Sequence, residues 1–194
     1  MNTHPLYSFL MRGLLTEQSL DRTERGKATH THLSSTLHKE LCDTLSIDEM
    51  DEDLVQQAQK MAVVYTAICA FENTMRRFIL KKLSEVYGVD WWTSCVSEKI
   101  RNKAESRREE ESKVRWHTPR GDSIINYTEF GDLLTIMRNK WTDFEPHVQS
   151  LEWADQIIKT LERSRNVIMH SGELTDHDIE RIGMNIRDWL RQVG

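Results

Sequence analysis

Apolar residues recur along this chain at steps of three and four, the repeat of helices buried along one face. The clearest stripe runs Leu54, Ala58, Met61, Tyr65, Ile68, Glu72, Met75, Ile79, Leu83 and Val86. It predicts one helix of about 50 Å at 1.5 Å per residue, closed by Gly88 just past its cap. Upstream, Leu6 to Leu15 predicts a short helix and Thr16 to Thr31 is polar and poorly periodic. Leu33, Leu37, Leu41 and Leu45 then share a helical face, and an acidic break from Ile47 to Asp53 follows. Downstream, Asp90-Trp91-Trp92 opens a charge-dense segment reaching Trp116, and Pro119-Arg120-Gly121-Asp122 is a turn. Phe130, Leu133, Leu134, Met137 and Trp141 predict a helix limited by Pro146. Leu151, Ala154, Ile158, Leu161 and Ile168 predict the next, starting near Ser150 and stopped by Gly172. Thr175 to Asp178 has the form of a capping box, with Asp in place of Glu, ahead of Ile179, Ile182, Ile186, Leu190 and Val193. The expected fold is all-α: a helical extension over residues 1–50, then an up-and-down helical bundle over 51–194.

Composition agrees with long helices, for only 8 Gly and 3 Pro occur in 194 residues, of which 38% are hydrophobic and 29% charged. A net charge of −5 argues against a generic electrostatic nucleic-acid coat but leaves room for a local basic cleft. Cys42, Cys69 and Cys95 are odd in number and widely spaced, which suggests neither a disulfide framework nor a thiolate zinc site. A reducing cytoplasm is the simplest setting. The strongest apolar run, Met61 to Phe71, falls short of the ~20 residues that span a bilayer, so no membrane association is expected. No basic n-region with a cleavage site opens the chain.

Two charges interrupt the apolar stripes. Glu72 and Arg165 each take a core-facing slot, where an isolated charge costs several kcal/mol unless it is paired or lines a cleft. One reading is structural: an ion pair across the bundle, or a pair between Glu72 and Arg76 one turn on. The other is that both face a functional cavity. His170 ends the same helix as Arg165, five residues on, where a regular helix would set the two side chains ~140° apart. A helix loosened at Ser171-Gly172 would bring them closer, and Asn166 lies one turn before His170. The spacing alone is unspecific, since Arg25–His30, Arg25–His32 and Arg163–His170 match it too. Only Arg165 both replaces an apolar stripe residue and is followed by a polar Asn.

Arg165-Asn166-Val167-Ile168-Met169-His170 resembles the motif of the HEPN superfamily: Arg, a polar residue, a few positions, then His near the end of a late helix. The stretch AQKMAVVYTAICAFENTMRRFILKKLSEVYGVDWW is similar to the first core helix of the Swt-type HEPN branch. INYTEFGDLLTIMRNKWTDFEP resembles its middle segment, and LERSRNVIMHSGEL its motif. The resemblance covers roughly residues 55–193 and leaves 1–50 outside. It implies a compact helical domain that dimerises, brings the motifs of two subunits into one composite cleft and cuts RNA without a metal or other cofactor. Arg165 and His170 carry over as catalytic residues, Asn166 matches the polar position, and Glu72 matches an acidic residue often found in the first core helix. Stand-alone relatives of this kind are often toxins or antiviral effectors, which implies an antitoxin or sensor as partner. The contrasting expectation is a non-catalytic helical module that binds RNA or a protein, or a nuclease restrained by residues 1–50.

Such chemistry suits these residue types. RNA breaks when its 2′-hydroxyl attacks the adjacent phosphorus. A histidine can move the protons, and an arginine can hold the crowded phosphate. Around this centre Lys103, Arg107, Arg108 and Arg163 are candidate RNA-backbone contacts, with Trp116 or His117 placed for base stacking. The contrasting reading of 99–120 is a solvated helix laced with Glu–Lys and Glu–Arg pairs. His30, His32, His38 and Cys42 include one permissible metal-ligand spacing, but surface histidines beside a packed cysteine account for them better. Trp91, Trp92, Trp141 and Trp189 read as packing residues.

Overall fold

The computed structural model describes residues 34–148 and 150–193. The short helix expected over Leu6 to Leu15, the polar stretch to Thr31, and Leu33, His30 and His32 lie outside them. Among the described residues the fold is all-α, with no strand. The chain divides into two units between Val55 and Gln56.

In the first unit, helix α1, Ser35–Thr44, starts where Ser34 Oγ accepts the Leu37 N–H at 3.2 Å. Leu37, Leu41 and Leu45, expected to share a helical face, are all exposed, and α1 buries no residue. The acidic break holds a 3-10 turn, Ile47–Glu49, and then Asp51, whose Oδ1 accepts the Asp53 and Leu54 N–H groups at 3.1 and 3.4 Å. That carboxylate caps the start of α2, Glu52–Tyr87. The break is thus the N-terminal signal of the long helix.

Within the second unit α2 is the pole around which the others pack. At 36 residues it runs ~54 Å. Gly88 follows at φ 62, the left-handed position expected of it. The buried face is Met61, Val64, Ile68, Phe71, Glu72, Met75, Ile79 and Leu83. The stripe read from sequence missed Val64 and Phe71, and its two ends, Leu54 and Val86, are exposed.

The charge-dense segment is two helices, α3, Trp91–Cys95, and α4, Glu98–Lys113, of which α4 buries only Ile100 and Ala104. A 3-10 turn, Ile124–Tyr127, leads to α5, Phe130–Asn139, opened by a reciprocal cap between Glu129 and Asp132. The single helix expected from Phe130 through Trp141 is in fact broken. Lys140 leaves helical geometry at φ −130, ψ 39, and a short α6, Trp141–Phe144, resumes. Two contacts hold the kink: Lys140 Nζ lies 4.5 Å from the Tyr87 ring centre, and the Tyr87 hydroxyl donates to Asp143 Oδ2 at 2.9 Å. Helix α7, Leu151–Met169, starts at Ser150, whose Oγ accepts the Trp153 N–H at 3.0 Å. Helix α8, Asp176–Val193, starts where the Asp178 N–H donates to Thr175 Oγ1 at 3.2 Å. The Thr175 hydroxyl returns a bond to the Asp178 carboxylate at 2.7 Å and holds it below the usual carboxylate range.

Aromatic rings tie four helices at one level. Phe71 of α2 meets Phe130 of α5 and Trp189 of α8 edge-on, at 6.1 and 5.5 Å between ring centres. Trp189 lies flat on Trp153 of α7, with 3° between their planes. Trp189 is 1% exposed. Its replacement in Trp189→Ala opens a cavity shared by three helices and should lower the unfolding free energy by about 3–5 kcal/mol in urea denaturation, with the helical circular dichroism of the native state retained.

Candidate functional site at the end of helix α7

Glu72 sits midway along α2 and is 5% exposed, so its charge needs compensation. Arg76, one turn on, donates Nη2–H to Glu72 Oε1 at 2.5 Å. The same nitrogen reaches the Thr128 carbonyl at 3.2 Å, and Nη1 donates to Asn73 Oδ1 at 3.2 Å. Arg76 is therefore bound on two sides, though its buried Nε has no partner. The second carboxylate oxygen, Oε2, faces Arg165 of α7, whose Nε lies 3.7 Å away. That distance supports attraction but no hydrogen bond. Both structural readings of Glu72, the intrahelical pair and the pair across the bundle, occur together.

Arg165 differs sharply from Arg76. Its side chain is 32% exposed, and among the described residues no acceptor takes any of its N–H groups. A planar fork of donors is held beside a carboxylate yet left unsatisfied, ready for an anion arriving from solvent. One carboxylate against two guanidiniums leaves the cluster with one net positive charge.

His170 caps α7 and is exposed, with its imidazole bound to none of the described residues. Its backbone N–H still donates to the Asn166 carbonyl at 3.1 Å, so Asn166, itself exposed, remains one turn below. The helix stops in a Schellman motif. Ser171 N–H donates to the Ile168 carbonyl at 3.0 Å and Gly172 N–H to the Val167 carbonyl at 2.8 Å. The left-handed residue is Ser171, at φ 59, rather than the glycine read from sequence as the stop. Gly172 is needed for closeness instead: a Cβ there would lie 2.7 Å from Val167 Cγ1 and 3.0 Å from its carbonyl oxygen.

The structure brings together Glu72, Arg76 and Arg165, and sets His170 and Asn166 at the solvent end of α7. The candidate RNA contacts scatter. Arg163 lines a cavity of about 220 Å³ between α7 and the start of α8, with Asp178 and Arg181. Two residues from Arg165, it faces ~200° around the helix axis. Arg107 donates to the Tyr127 carbonyl at 3.0 Å and pairs with Glu129, which makes it a clamp between α4 and α5. Lys103 and Arg108 are exposed on α4. No ion pair occurs within α4 among the described residues, so the expected lattice of Glu–Lys and Glu–Arg pairs is absent; its two salt bridges run outward, to Glu129 and Arg120. His38 Nε2 lies 3.7 Å from Cys42 Sγ, and no group of three His, Cys, Asp or Glu side chains among the described residues could hold a metal ion.

The Swt1-like HEPN family profile matches residues 67–194, the span that carries Glu72, Arg165 and His170. The chain belongs to the Swt1-like HEPN family. No curated protein and no solved structure matches it. The family falls in a superfamily of ribonuclease-like domains that often bind RNA and dimerise.

The geometry gives the members of this cluster unequal weight in stability. Glu72→Ala strands the buried Arg76 and should lower the unfolding free energy by about 3–5 kcal/mol. Arg165→Ala removes only a partly exposed contact without a hydrogen bond and should cost less than about 1 kcal/mol in the same denaturation series.

Proposed function

We propose that this HEPN protein is an endoribonuclease that cuts RNA by attack of the 2′-hydroxyl on the adjacent phosphorus. The observation that carries the reading is Arg165: a charged fork anchored by Glu72, one-third exposed, with every N–H still to give. It binds the non-bridging phosphate oxygens and neutralises the charge that grows on the phosphorane. His170, at the solvent end of the same helix, takes the 2′-hydroxyl proton as the new O–P bond forms. A proton delivered to the 5′-oxygen lets the old P–O bond break. The products end in a 2′,3′-cyclic phosphate and a 5′-hydroxyl, and DNA, lacking the nucleophile, stays intact. Asn166 orients His170 or a phosphate oxygen, and Glu72 sets the Arg165 rotamer. No step calls for a metal ion or cofactor.

A homodimer would place two His170 side chains over one phosphate, one as base and its mate as acid. The exposed imidazole on a short helix end suits that arrangement. The biological reading is a toxin or antiviral defence effector working in the cytoplasm, held in check by an antitoxin or sensor; among the described residues no helix is long and apolar enough to cross a membrane. The unpartnered His170 also favours a second reading, a domain of the same fold that binds RNA or protein without cutting.

Digestion of mixed RNA in EDTA by wild type, His170→Ala and Arg165→Ala, with end-group analysis, separates the two. Cyclic-phosphate ends from wild type, falling by about 10²–10⁴-fold in His170→Ala and about 10²–10³-fold in Arg165→Ala, are expected. Products with 3′-hydroxyl ends, or equal cutting of DNA, would overturn the mechanism. Three folded proteins that all fail to cut would favour the binding domain.

A further inference from the structure

Past the end of α4 the chain folds back to form an open cleft of about 410 Å³ between α4 and the 114–122 loop. Its walls include Arg108, Arg115, His117, Asp122 and Tyr127. The loop is firmly built. The Arg120 N–H donates to Glu111 Oε2 at 3.1 Å while its guanidinium pairs with the other oxygen, and together they hold the Glu111 carboxyl below the usual carboxylate range. The Tyr127 hydroxyl donates to the Gly121 carbonyl at 3.3 Å. Gly121 adopts φ +155, which strains any other residue, and a Cβ there would lie 1.9 Å from Asn126 Nδ2 and displace that side chain.

Two features stand out around this cleft. Trp116 is 86% exposed, whereas Trp91 and Trp189 are buried and Trp92, Trp141 and Trp153 are at least partly so. Its indole meets the His117 ring edge-on at 5.7 Å. A large apolar ring held in water by an ordered loop is a surface awaiting a partner. Arg108 and Arg115, meanwhile, have no acidic partner among the described residues, because Glu111 is already engaged by Arg120. With Arg120 offsetting Glu111, Arg108 and Arg115 against Asp122 leave the cleft and its rim with one net positive charge.

We propose that this cleft, together with the exposed Trp116 ring on the loop that forms its wall, is a subsite for single-stranded RNA, in which a base stacks on Trp116 outside the cleft and the flanking phosphates pair with Arg108 and Arg115 in its lining. The assignment rests on the reading of the protein as one that takes RNA, and gives that RNA a second point of attachment apart from Arg165 and His170. An unpaired strand fits and a duplex does not, because stacking on an indole requires a base turned out of its helix. An acidic peptide would satisfy the two arginines but leave the indole without a planar partner.

The test is fluorescence anisotropy with a labelled 2′-O-methyl oligonucleotide, which cannot be cut by 2′-oxygen attack and so reports binding alone. Wild type should bind it, more weakly as salt rises. Trp116→Ala should bind roughly 5- to 100-fold more weakly, and Arg108→Gln with Arg115→Gln should flatten the salt dependence by about 1.4 in log–log slope. All three side chains are exposed, so these variants keep the fold. Trp116→Ala binding within twofold of wild type, or a wild type that prefers duplex RNA or does not bind the single strand, overturns the subsite. Loss of binding in Trp116→Ala supports it even if wild type proves unable to cut, which separates this proposal from the ribonuclease reading.

Discussion

A carboxylate buried on the longest helix is the constraint around which the second unit is arranged. Glu72 cannot stay charged in the core without partners, and the partners it takes join three parts of the chain. Arg76 answers it from the same helix and reaches on to the Thr128 carbonyl, where the chain turns into α5. Arg165 approaches it from α7. The two arginines are not equivalent. Arg76 is locked by hydrogen bonds, whereas Arg165 is drawn to the carboxylate but gives it none. The lock satisfies the fold, which frees the second guanidinium for an outside anion.

Much of this was legible from residue order. Steps of three and four placed the helices, and the same periodicity exposed Glu72 and Arg165 as charges in apolar slots. Helix ends were read less well. Lys140 breaks a continuous apolar stripe through contacts with Tyr87, which lies more than fifty positions earlier, and periodicity carries no such information. Val64 and Phe71 were missed because a central helix packs on more than one neighbour, which widens its buried face beyond a single stripe. Arg107 looked like a surface cation until the fold brought the Tyr127 carbonyl and Glu129 to it.

The end of α7 shows how backbone geometry can serve a site. Ser171 turns left-handed and Gly172 passes close under Val167, so the helix closes on itself and leaves His170 as the last residue of its rim. Among the described residues none holds the imidazole, and main-chain hydrogen bonds set its place.

That independence bears on how such a protein changes over generations. A substitution at the exposed His170 breaks no side-chain bond to the described residues, so a lineage released from selection for chemistry could lose the imidazole silently. Glu72 and Arg76 would persist under selection for folding alone. A descendant with the buried pair intact and the rim histidine gone would thus keep a record of an abandoned activity in its core.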